Sequence, residues 1–158
     1  MITYREIQRG EEINTCRLVM DCFNEYVAPG YIQEGVAEFS RYVDPELMKI
    51  RIANNHFVIL AMDHDNMTGV IEVRNNNHIS LFFVKKDHQH QGIGRKLHKL
   101  AIEKCRTLNP EVTTIDVHSS PYAVHIYQML GFIKQSEEQI SNGIRYTHLI
   151  LHLKPGLT

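Results

Sequence analysis

A glycine-containing turn, Gln-x-x-Gly-x-Gly at residues 89–94, is the feature that most constrains how this chain can fold. The segment before it, "HISLFFV" (78–84), is apolar on both faces and predicts a central strand covered on both sides. After the turn, apolar residues recur at helical spacing up to an Asn-Pro pair, which predicts a helix over 92–108. The next apolar segment, 112–118, would return beside the first strand, and a helical crossover of this kind makes the two strands parallel.

Further strands and helices surround this crossover. An edge strand and two helices come first, and Asp44-Pro45 has the residue types of a helix start. Three closely spaced strands with short polar turns predict an antiparallel meander. A short helix with Ser119 or Ser120 as its N-cap and Pro121 at its first position precedes a final hairpin. The order βααβββαβαββ predicts an α/β fold with a mixed, mostly antiparallel sheet and helices on both faces.

Length and composition limit the classes of function. A chain of 158 residues is expected to form a single domain over 1–158. A net charge of −1 gives no long-range attraction to nucleic acid or membranes, and no apolar run approaches the ~20 residues that span a bilayer. The cysteines lack C-x-x-C spacing, and the charged N-terminus does not resemble a signal peptide. We therefore expect a cytoplasmic protein with no nucleic-acid or membrane partner.

The glycine turn has the residue types of an anion-binding site. A helix that begins at Gly92 exposes its first backbone N–H groups, and Gly92 and Gly94 have no Cβ to keep an anion away. Arg95 and Lys96 add positive charge at the same end. A Walker loop needs Gly-Lys-Ser/Thr, and a Rossmann fingerprint needs a third glycine where Leu97 stands, so neither motif is present. A diphosphate would fit this turn, and a turn without any ligand explains the pattern equally well.

Histidines near the turn raise a metal site as the alternative. His88 and His90 alternate in the loop before the helix, and His98 is expected on the solvated face of the helix, one turn beyond the loop. The pattern contains neither H-E-x-x-H nor a cysteine pair that would complete a tetrahedral set. We therefore expect no metal site.

Two stretches of the chain resemble the GCN5-related N-acetyltransferases, the GNAT superfamily. The family's motif A, Gln/Arg-x-x-Gly-x-Gly/Ala between a strand and a helix, is similar to residues 89–94. Its motif B, a strand and helix ending in Tyr…Leu-Gly-Phe, is similar to residues 113–132. The resemblance implies a GNAT-like sheet with splayed central parallel strands and acetyl-CoA as the co-substrate. The residues implied to contact acetyl-CoA are Phe82, Phe83, Val84, Gln89, His90, Gln91, Gly92, Ile93, Gly94, Arg95 and Ser120.

The resemblance also implies how these residues act. The backbone amides from Gln89 through Arg95 would bind the diphosphate, and strand residues 82–84 would pair with the pantetheine arm. Tyr127 matches the tyrosine that often serves as general acid on the departing thiolate, with a core tyrosine as the structural alternative. Ser120 stands where the family often has Asn before the motif B helix. Its hydroxyl can still bond to a pantetheine amide, although its reach is shorter.

Direct transfer to an amine requires a proton acceptor, because an alkylamine is almost wholly protonated at neutral pH. Glu72 is the first candidate, since it lies on the strand beside the motif A strand, where the family often places a water-binding carboxylate. His78 is the second candidate, and Ser80, Asp116 and His118 are further polar residues near the same gap. For each of them, a solvent-facing side chain at a strand end is the alternative.

The regions that shape the acceptor pocket in the family correspond here to about 24–42 and 136–146. Their carboxylates and tyrosines would suit a cationic amine, and a solvated helix face is an equal alternative. The resemblance predicts an N-acetyltransferase for a primary amine of a small molecule or peptide, as a monomer or homodimer. A catalytically weak acyl-CoA-binding sensor or interaction module is the alternative. The pocket residues in question are Glu25, Tyr26, Tyr31, Glu34, Glu38, Tyr42, Glu137, Glu138 and Tyr146.

Overall fold

Eight strands form a sheet within residues 1–155, the part of the chain that this computed structural model describes. They are β1 (Ile2–Glu6), β2 (His56–Asp63), β3 (Asn66–Arg74), β4 (His78–Val84), β5 (Thr114–Ser119), β6 (Ile133–Lys134), β7 (Gln139–Ser141) and β8 (Ile144–His152). The strands lie in the order β1-β2-β3-β4-β5-β8-β6, and β7 pairs with β8 beside this path. Only β4 and β5 are parallel among the described pairs, as the crossover predicted.

Helices cover both faces of this sheet. They are α1 (Glu12–Tyr26), α2 (Gln33–Tyr42), α3 (Pro45–Ile52), α4 (Ile93–Leu108) and α5 (Val124–Met129). Apolar residues of α1 and α3 share one core with β2, β3 and β4, and those of α4 and α5 share the core on the opposite face. These two cores confirm the expected α/β architecture. Within residues 1–155, no helix is both long and apolar enough to cross a membrane.

The pairing between the two central strands is short and involves only the first two residues of β4. His78 lies opposite Asp116 and Ile79 opposite Val117, and no later residue of β4 is paired with β5 in the described part of the chain. The strands therefore separate toward their C-terminal ends, which confirms the expected splay. The backbone groups of β4 that face the gap have no strand to pair with, so they can bind a ligand.

A β-bulge occurs in β4 where the splay begins. Ile79 pairs with Val73 on β3 but Leu81 pairs with Glu72, so Ser80 is the extra residue between them. An extra residue bends its strand and changes which face the following side chains occupy. The bulge therefore contributes to the opening between β4 and β5.

The structure adds one helix and one strand to the predicted order. α3 begins where Asp44-Pro45 indicates, and the Asp44 carboxylate accepts a hydrogen bond from the Leu47 N–H at 3.0 Å. The predicted order omitted α3 because this short helix has no one-sided apolar pattern. The last hairpin is divided, since β6 and β7 pair with different parts of β8.

α5 begins at Val124, later than the sequence predicted. The Ala123 N–H donates to the Ser120 carbonyl at 3.1 Å, which closes a turn before the helix. The expectation that Ser119 or Ser120 is the N-cap is wrong, because the Ser119 hydroxyl donates to the Ser120 carbonyl at 2.8 Å and no side chain caps α5. The turn leaves Ser120 at the end of β5, beside the splayed strands.

Candidate active site

One cavity of about 720 Å³ lies along the gap between β4 and β5. Its walls come from β4, the turn into α4, the end of β5 and α5, with α1 and α2 on the other side. All the predicted site residues except Gln91 and Glu72 line it. Those that line it are His78, Phe82, Phe83, Val84, Gln89, His90, Gly92, Ile93, Gly94, Arg95, Ser120 and Tyr127.

The start of α4 has the properties of an anion-binding end. Gly92 occupies the N-cap with φ of 80°, a left-handed conformation that favours glycine, and the first turn contains no acidic residue. The Gln89 side chain donates to the Val84 carbonyl at 3.1 Å and fastens the loop to the end of β4. The free N–H groups of the first helical turn and the exposed Arg95 therefore fit a diphosphate group.

Gly94 and Gln91 differ in their relation to this end of the cavity. A Cβ at Gly94 would lie 3.6 Å from the Phe82 ring and 3.7 Å from the Val84 side chain, so glycine keeps the space between α4 and β4 open. The exposed Gln91 side chain donates to the Asp87 carbonyl at 3.4 Å. Gln91 was expected at the cofactor site, but its side chain lies outside the cavity.

Tyr127 lies on the inner face of α5 and lines the cavity. Its side chain is 5% exposed, with ring centroids 6.0 Å from Phe82 and 5.3 Å from Phe132. Burial raises the pKa of its phenol above the ordinary value. Its hydroxyl forms no hydrogen bond with another of the described residues, so it is protonated at neutral pH and free to donate to a ligand.

His78, Asp116 and His148 form a hydrogen-bond network across three strands. His78 Nδ1 lies 2.8 Å from Asp116 Oδ1, and His148 Nε2 lies 3.0 Å from Asp116 Oδ2. Burial raises the pKa of Asp116, but hydrogen bonding and charge from His78 and then His148 outweigh it, so the pKa is lowered. A carboxylate only accepts hydrogen bonds, so Nδ1 of His78 carries a proton, and in the neutral form of the ring Nε2 has the lone pair.

His118 lies beside this network on the same face of β5. Its ring centroid is 5.0 Å from that of His78, 5.3 Å from that of His148 and 4.8 Å from that of Tyr146. Ligand atoms of Asp116, His118 and His148 lie within 4.8 Å of one another, a spacing that a divalent cation could use. Both oxygens of Asp116 already accept hydrogen bonds, and the expectation of no metal site stays a prediction.

Glu72 lies outside the cavity and is 0% exposed. Its carboxylate accepts hydrogen bonds from the Arg51 guanidinium at 2.7 and 3.1 Å and lies 2.7 Å from His56 Nδ1. A general base must reach the proton that it removes, directly or through one water. This enclosed position contradicts the expectation that Glu72 is the first candidate base, and its contacts join α3 to β2 and β3.

The three histidines of the metal alternative do not come together. His88 Nε2 lies 3.4 Å from Asp63 Oδ2, and both His88 and His90 line the cavity. His98 is 8% exposed, so its expected place on the solvated face is wrong. Its Nε2 has no hydrogen-bond partner among the described residues, and burial lowers its pKa to about 4. The described geometry therefore gives no support to a metal site made from these residues.

The carboxylates expected to attract a cationic amine are neutralised or lie outside the cavity. Glu38 is the one acidic residue among those that line it, and Glu38 forms a salt bridge with Arg41. Glu25 pairs with Lys86 at 3.1 Å, and Glu138 pairs with Arg145 at 3.0 Å. The tyrosines do contribute to this wall, since Tyr26, Tyr31 and Tyr42 line the cavity.

Sequence reasoning missed Arg74 and His148. Arg74 is exposed at the end of β3 and lines the cavity, and His148 lies opposite His118 on β8. Polar residues alternate along β8, and this pattern could have indicated that His148 lies on the same face of the sheet as the polar residues of β5. No local pattern singles out Arg74, because its position depends on the pairing of β3 with β4.

Comparison with known proteins gives the family. A family model described as an acetyltransferase (GNAT) domain matches residues 27–153. This chain belongs to the GNAT acetyltransferase family. The matched range runs from the end of α1 to the end of β8, so it contains the cavity's glycine turn, the hydrogen-bond network and Tyr127. The chain is therefore an N-acetyltransferase of this family, as the two sequence motifs predicted.

Solved structures of GNAT proteins share the fold at low sequence identity. PaiA N-acetyltransferase from Thermoplasma acidophilum, in complex with coenzyme A, has a TM-score of 0.82 at 13% identity over 97% of this chain and 99% of that one. A GCN5-related N-acetyltransferase from Rhodopseudomonas palustris has a TM-score of 0.79 at 17% identity, covering 96% and 95%. A chimera of the spermidine N-acetyltransferase SpeG from Vibrio cholerae and hSSAT has a TM-score of 0.65 at 22% identity, over 96% of this chain and 95% of that one. A sequence search among curated proteins gave no match.

Proposed function

We propose that this protein transfers the acetyl group of acetyl-CoA directly to the primary amine of a small molecule or peptide. The observation that carries the proposal is the single cavity that joins the glycine turn before α4 to His78 and Tyr127. One end of it suits a diphosphate, and its walls also include a proton acceptor, His78, and a proton donor, Tyr127. Solved neighbours named for coenzyme A and for spermidine support the same classes of substrate.

The residues proposed to hold acetyl-CoA are those that line the cavity from β4 to α4. The N–H groups after Gly92 would bind the diphosphate, and Arg95 would add charge at the same end. The unpaired inner edge of β4 at Phe82–Val84 would bind the pantetheine amides as an added strand. Ser120, at the end of β5, could donate to the same arm from the other side of the gap. Acetyl-CoA supplies the thioester on which the amine acts.

His78 is the proposed proton acceptor. Its Nδ1–H is held by Asp116 at 2.8 Å, which leaves the Nε2 lone pair available on a side chain that lines the cavity. An imidazole with a free lone pair can take a proton from the ammonium group, which leaves the neutral amine that attacks the carbonyl. Asp116 positions this ring and stabilises the imidazolium that forms. Backbone N–H groups near Phe83 are proposed to stabilise the oxyanion.

Tyr127 is the proposed donor to the departing sulfur. A thiol has a reference pKa of about 8.5, and the phenol of Tyr127 titrates well above that because it is buried. The phenol therefore stays protonated until the thiolate forms, and it donates a hydrogen bond as negative charge develops on sulfur. Conversion of the ammonium group to an amide removes two protons from nitrogen. One balances the proton that the departing thiolate takes up, and the other passes from His78 to solvent.

The test is thiol release from acetyl-CoA in the presence of a panel of primary amines. Tyr127→Phe and His78→Gln should each lower kcat by roughly 10²-fold, with little change in coenzyme A affinity. Tyr4→Phe, on β1 and away from the cavity, is the matched control and should retain full turnover. If Tyr127→Phe weakens coenzyme A binding as much as it lowers kcat, the tyrosine has only a structural role.

The alternative function, an acyl-CoA-binding sensor or interaction module, predicts a different result. Coenzyme A would bind, but no amine in the panel would release free thiol. Failure to bind coenzyme A at all would contradict both functions. The network of His78 and Asp116 favours the enzyme, because a module that only binds the cofactor has no need of an oriented imidazole next to the thioester site.

A further inference from the structure

A row of polar residues crosses one face of the sheet at the acceptor end of the cavity. Arg74 on β3 lies opposite His78 on β4, and His78 lies opposite Asp116 on β5. Side chains at paired positions point to the same face, with Cβ atoms roughly 4.5–5.5 Å apart. Arg74 is therefore the immediate neighbour of the proposed proton acceptor, on the side away from Asp116.

Among residues 1–155, no carboxylate pairs with the positive charge of Arg74. Arg74 forms no salt bridge within residues 1–155, and Glu38, the one acidic side chain in the cavity wall, is paired with Arg41. Asp116 belongs to the row, but its two oxygens already form hydrogen bonds with His78 and His148. The acceptor end thus presents a free guanidinium among polar groups that are already paired.

The pKa of His118 also reflects the positive charge of Arg74. Burial is the largest cause of the lowered pKa of His118, and the neighbouring basic groups His78, His148 and Arg74 lower it further. Asp116 raises the pKa of the same imidazole but does not outweigh them. A cationic group entering here would meet repulsion from Arg74, whereas an anionic group would be attracted to it.

We propose that the acceptor is an amine that also carries a carboxylate, with Arg74 as the residue that binds the carboxylate while His78 takes the proton from the amine. This inference rests on the proposed function and specifies its substrate class. The guanidinium can form two parallel hydrogen bonds with a carboxylate, which fixes the orientation of the acceptor as well as its charge. The sequence had suggested a cationic acceptor instead. That acceptor is not favoured here, because the carboxylates expected to attract it are paired with basic residues or lie outside the cavity.

The test compares three amines of matched length: 4-aminobutyrate, butylamine and 1,4-diaminobutane. Thiol release from acetyl-CoA is measured with each of them for the native protein, Arg74→Gln and Arg17→Gln. Arg17 is exposed on α1 outside the main cavity, so its variant controls for the loss of one surface charge. We expect 4-aminobutyrate to be the best acceptor of the three with the native protein and with the Arg17 variant.

The Arg74→Gln variant should lose roughly tenfold in kcat/KM for 4-aminobutyrate, the size of one exposed charged hydrogen bond. Its kcat/KM for butylamine should stay within about twofold, since that amine has no carboxylate. Butyrate, which has the carboxylate but no amine, should inhibit the native protein competitively against the acceptor and inhibit Arg74→Gln more weakly. Charge reversal in Arg74→Glu should shift the preference toward the diamine.

Two results would overturn the inference while leaving acetyl transfer intact. One is a native preference for 1,4-diaminobutane over 4-aminobutyrate, and the other is an equal loss for all three amines in Arg74→Gln. Absence of thiol release with every amine, with coenzyme A bound, would instead overturn the proposed function and this inference with it. The two failures are therefore distinguishable in one set of measurements.

Discussion

Replacement of Glu72 by Gln tests whether this carboxylate is structural, as its position indicates, or catalytic, as its place beside the motif A strand predicted. Glu72→Gln keeps the size and shape of the side chain but removes the charge. One oxygen that accepts from Arg51 or His56 becomes an NH₂ group that faces donors. The buried guanidinium of Arg51, 12% exposed at its side chain, then lacks a full counter-charge.

The magnitude follows from the burial of the pair. Removal of one partner from a buried ion pair costs about 3–5 kcal/mol, because the remaining charge is left uncompensated in a medium of low polarity. For a chain of 150–250 residues, each kcal/mol lowers Tm by about 2–4 °C. We therefore expect Glu72→Gln to melt roughly 6–20 °C below the native protein. Glu46→Gln is the matched control, since the Glu46–Lys49 pair is exposed and such pairs contribute about 0–1 kcal/mol.

The assay combines thermal unfolding with turnover at a temperature where both variants are folded. Glu72→Gln should keep kcat within about threefold of the native value, whereas His78→Gln should not. If Glu72→Gln proves too unstable to purify, Arg51→Lys gives a graded loss of Tm, because lysine cannot form the paired hydrogen bonds. A variant that melts within about 1 °C of the native protein but loses 10²-fold in kcat would refute the structural role.

Three further predictions concern backbone and burial. In Gly35→Ala, the new Cβ would overlap the Gly143 carbonyl oxygen, so α2 must move away from the β7–β8 turn. We expect the free energy of unfolding to fall by about 1–3 kcal/mol and the KM for the amine to rise. The control is Gly30→Ala, which should be tolerated because its Cβ would lie 3.5 Å from the Arg145 side chain. His98 has a folded pKa of about 4 against 6.5 unfolded, so its stabilisation is complete above pH 6.5 and is lost as pH falls toward 4. Over this pH range the free energy of unfolding should fall by roughly 3 kcal/mol because of His98. In His98→Leu, Tm should therefore decline less steeply between pH 6.5 and 4, and a pH profile like that of the native protein would contradict the role given to His98. In Gly92→Ala the Cβ meets no atom within 4 Å, so the strain at φ of 80° alone should cost about 1–2 kcal/mol and weaken coenzyme A binding in a titration.

Local patterns predicted the centre of the molecule well. The apolar run of β4, the glycine turn, α4 and β5 occur where the sequence placed them, and the resulting parallel pair is at the middle of the sheet. Each of these elements is determined by neighbours within a few residues: periodicity, a glycine that accepts positive φ, and an Asn-Pro stop. The two motifs also indicated the family, because each resembles a motif of the GNAT proteins, and the family model confirms it.

Boundaries and side-chain roles were predicted less well where they depend on contacts distant in sequence. Ser120 looked like a helix cap, but the backbone closes a turn there before α5 begins. His98 was expected in solvent, yet it packs against Phe132, with 5.6 Å between ring centroids. Helical spacing gives a residue's direction around the axis, but which directions are buried depends on what packs against the helix.

By itself, the sequence determined the crossover, the glycine turn and the position of Tyr127, because these follow from the local conformation of one continuous segment. Only the tertiary structure decided which polar groups meet. Glu72 contacts Arg51 and His56 and is enclosed, whereas Asp116 joins His78 on another strand and orients it toward the cavity. The pairing of β3 with β4 brings Arg74 beside His78. Such choices depend on strand register across the sheet, and a register is set by the burial of whole faces rather than by any residue's immediate neighbours.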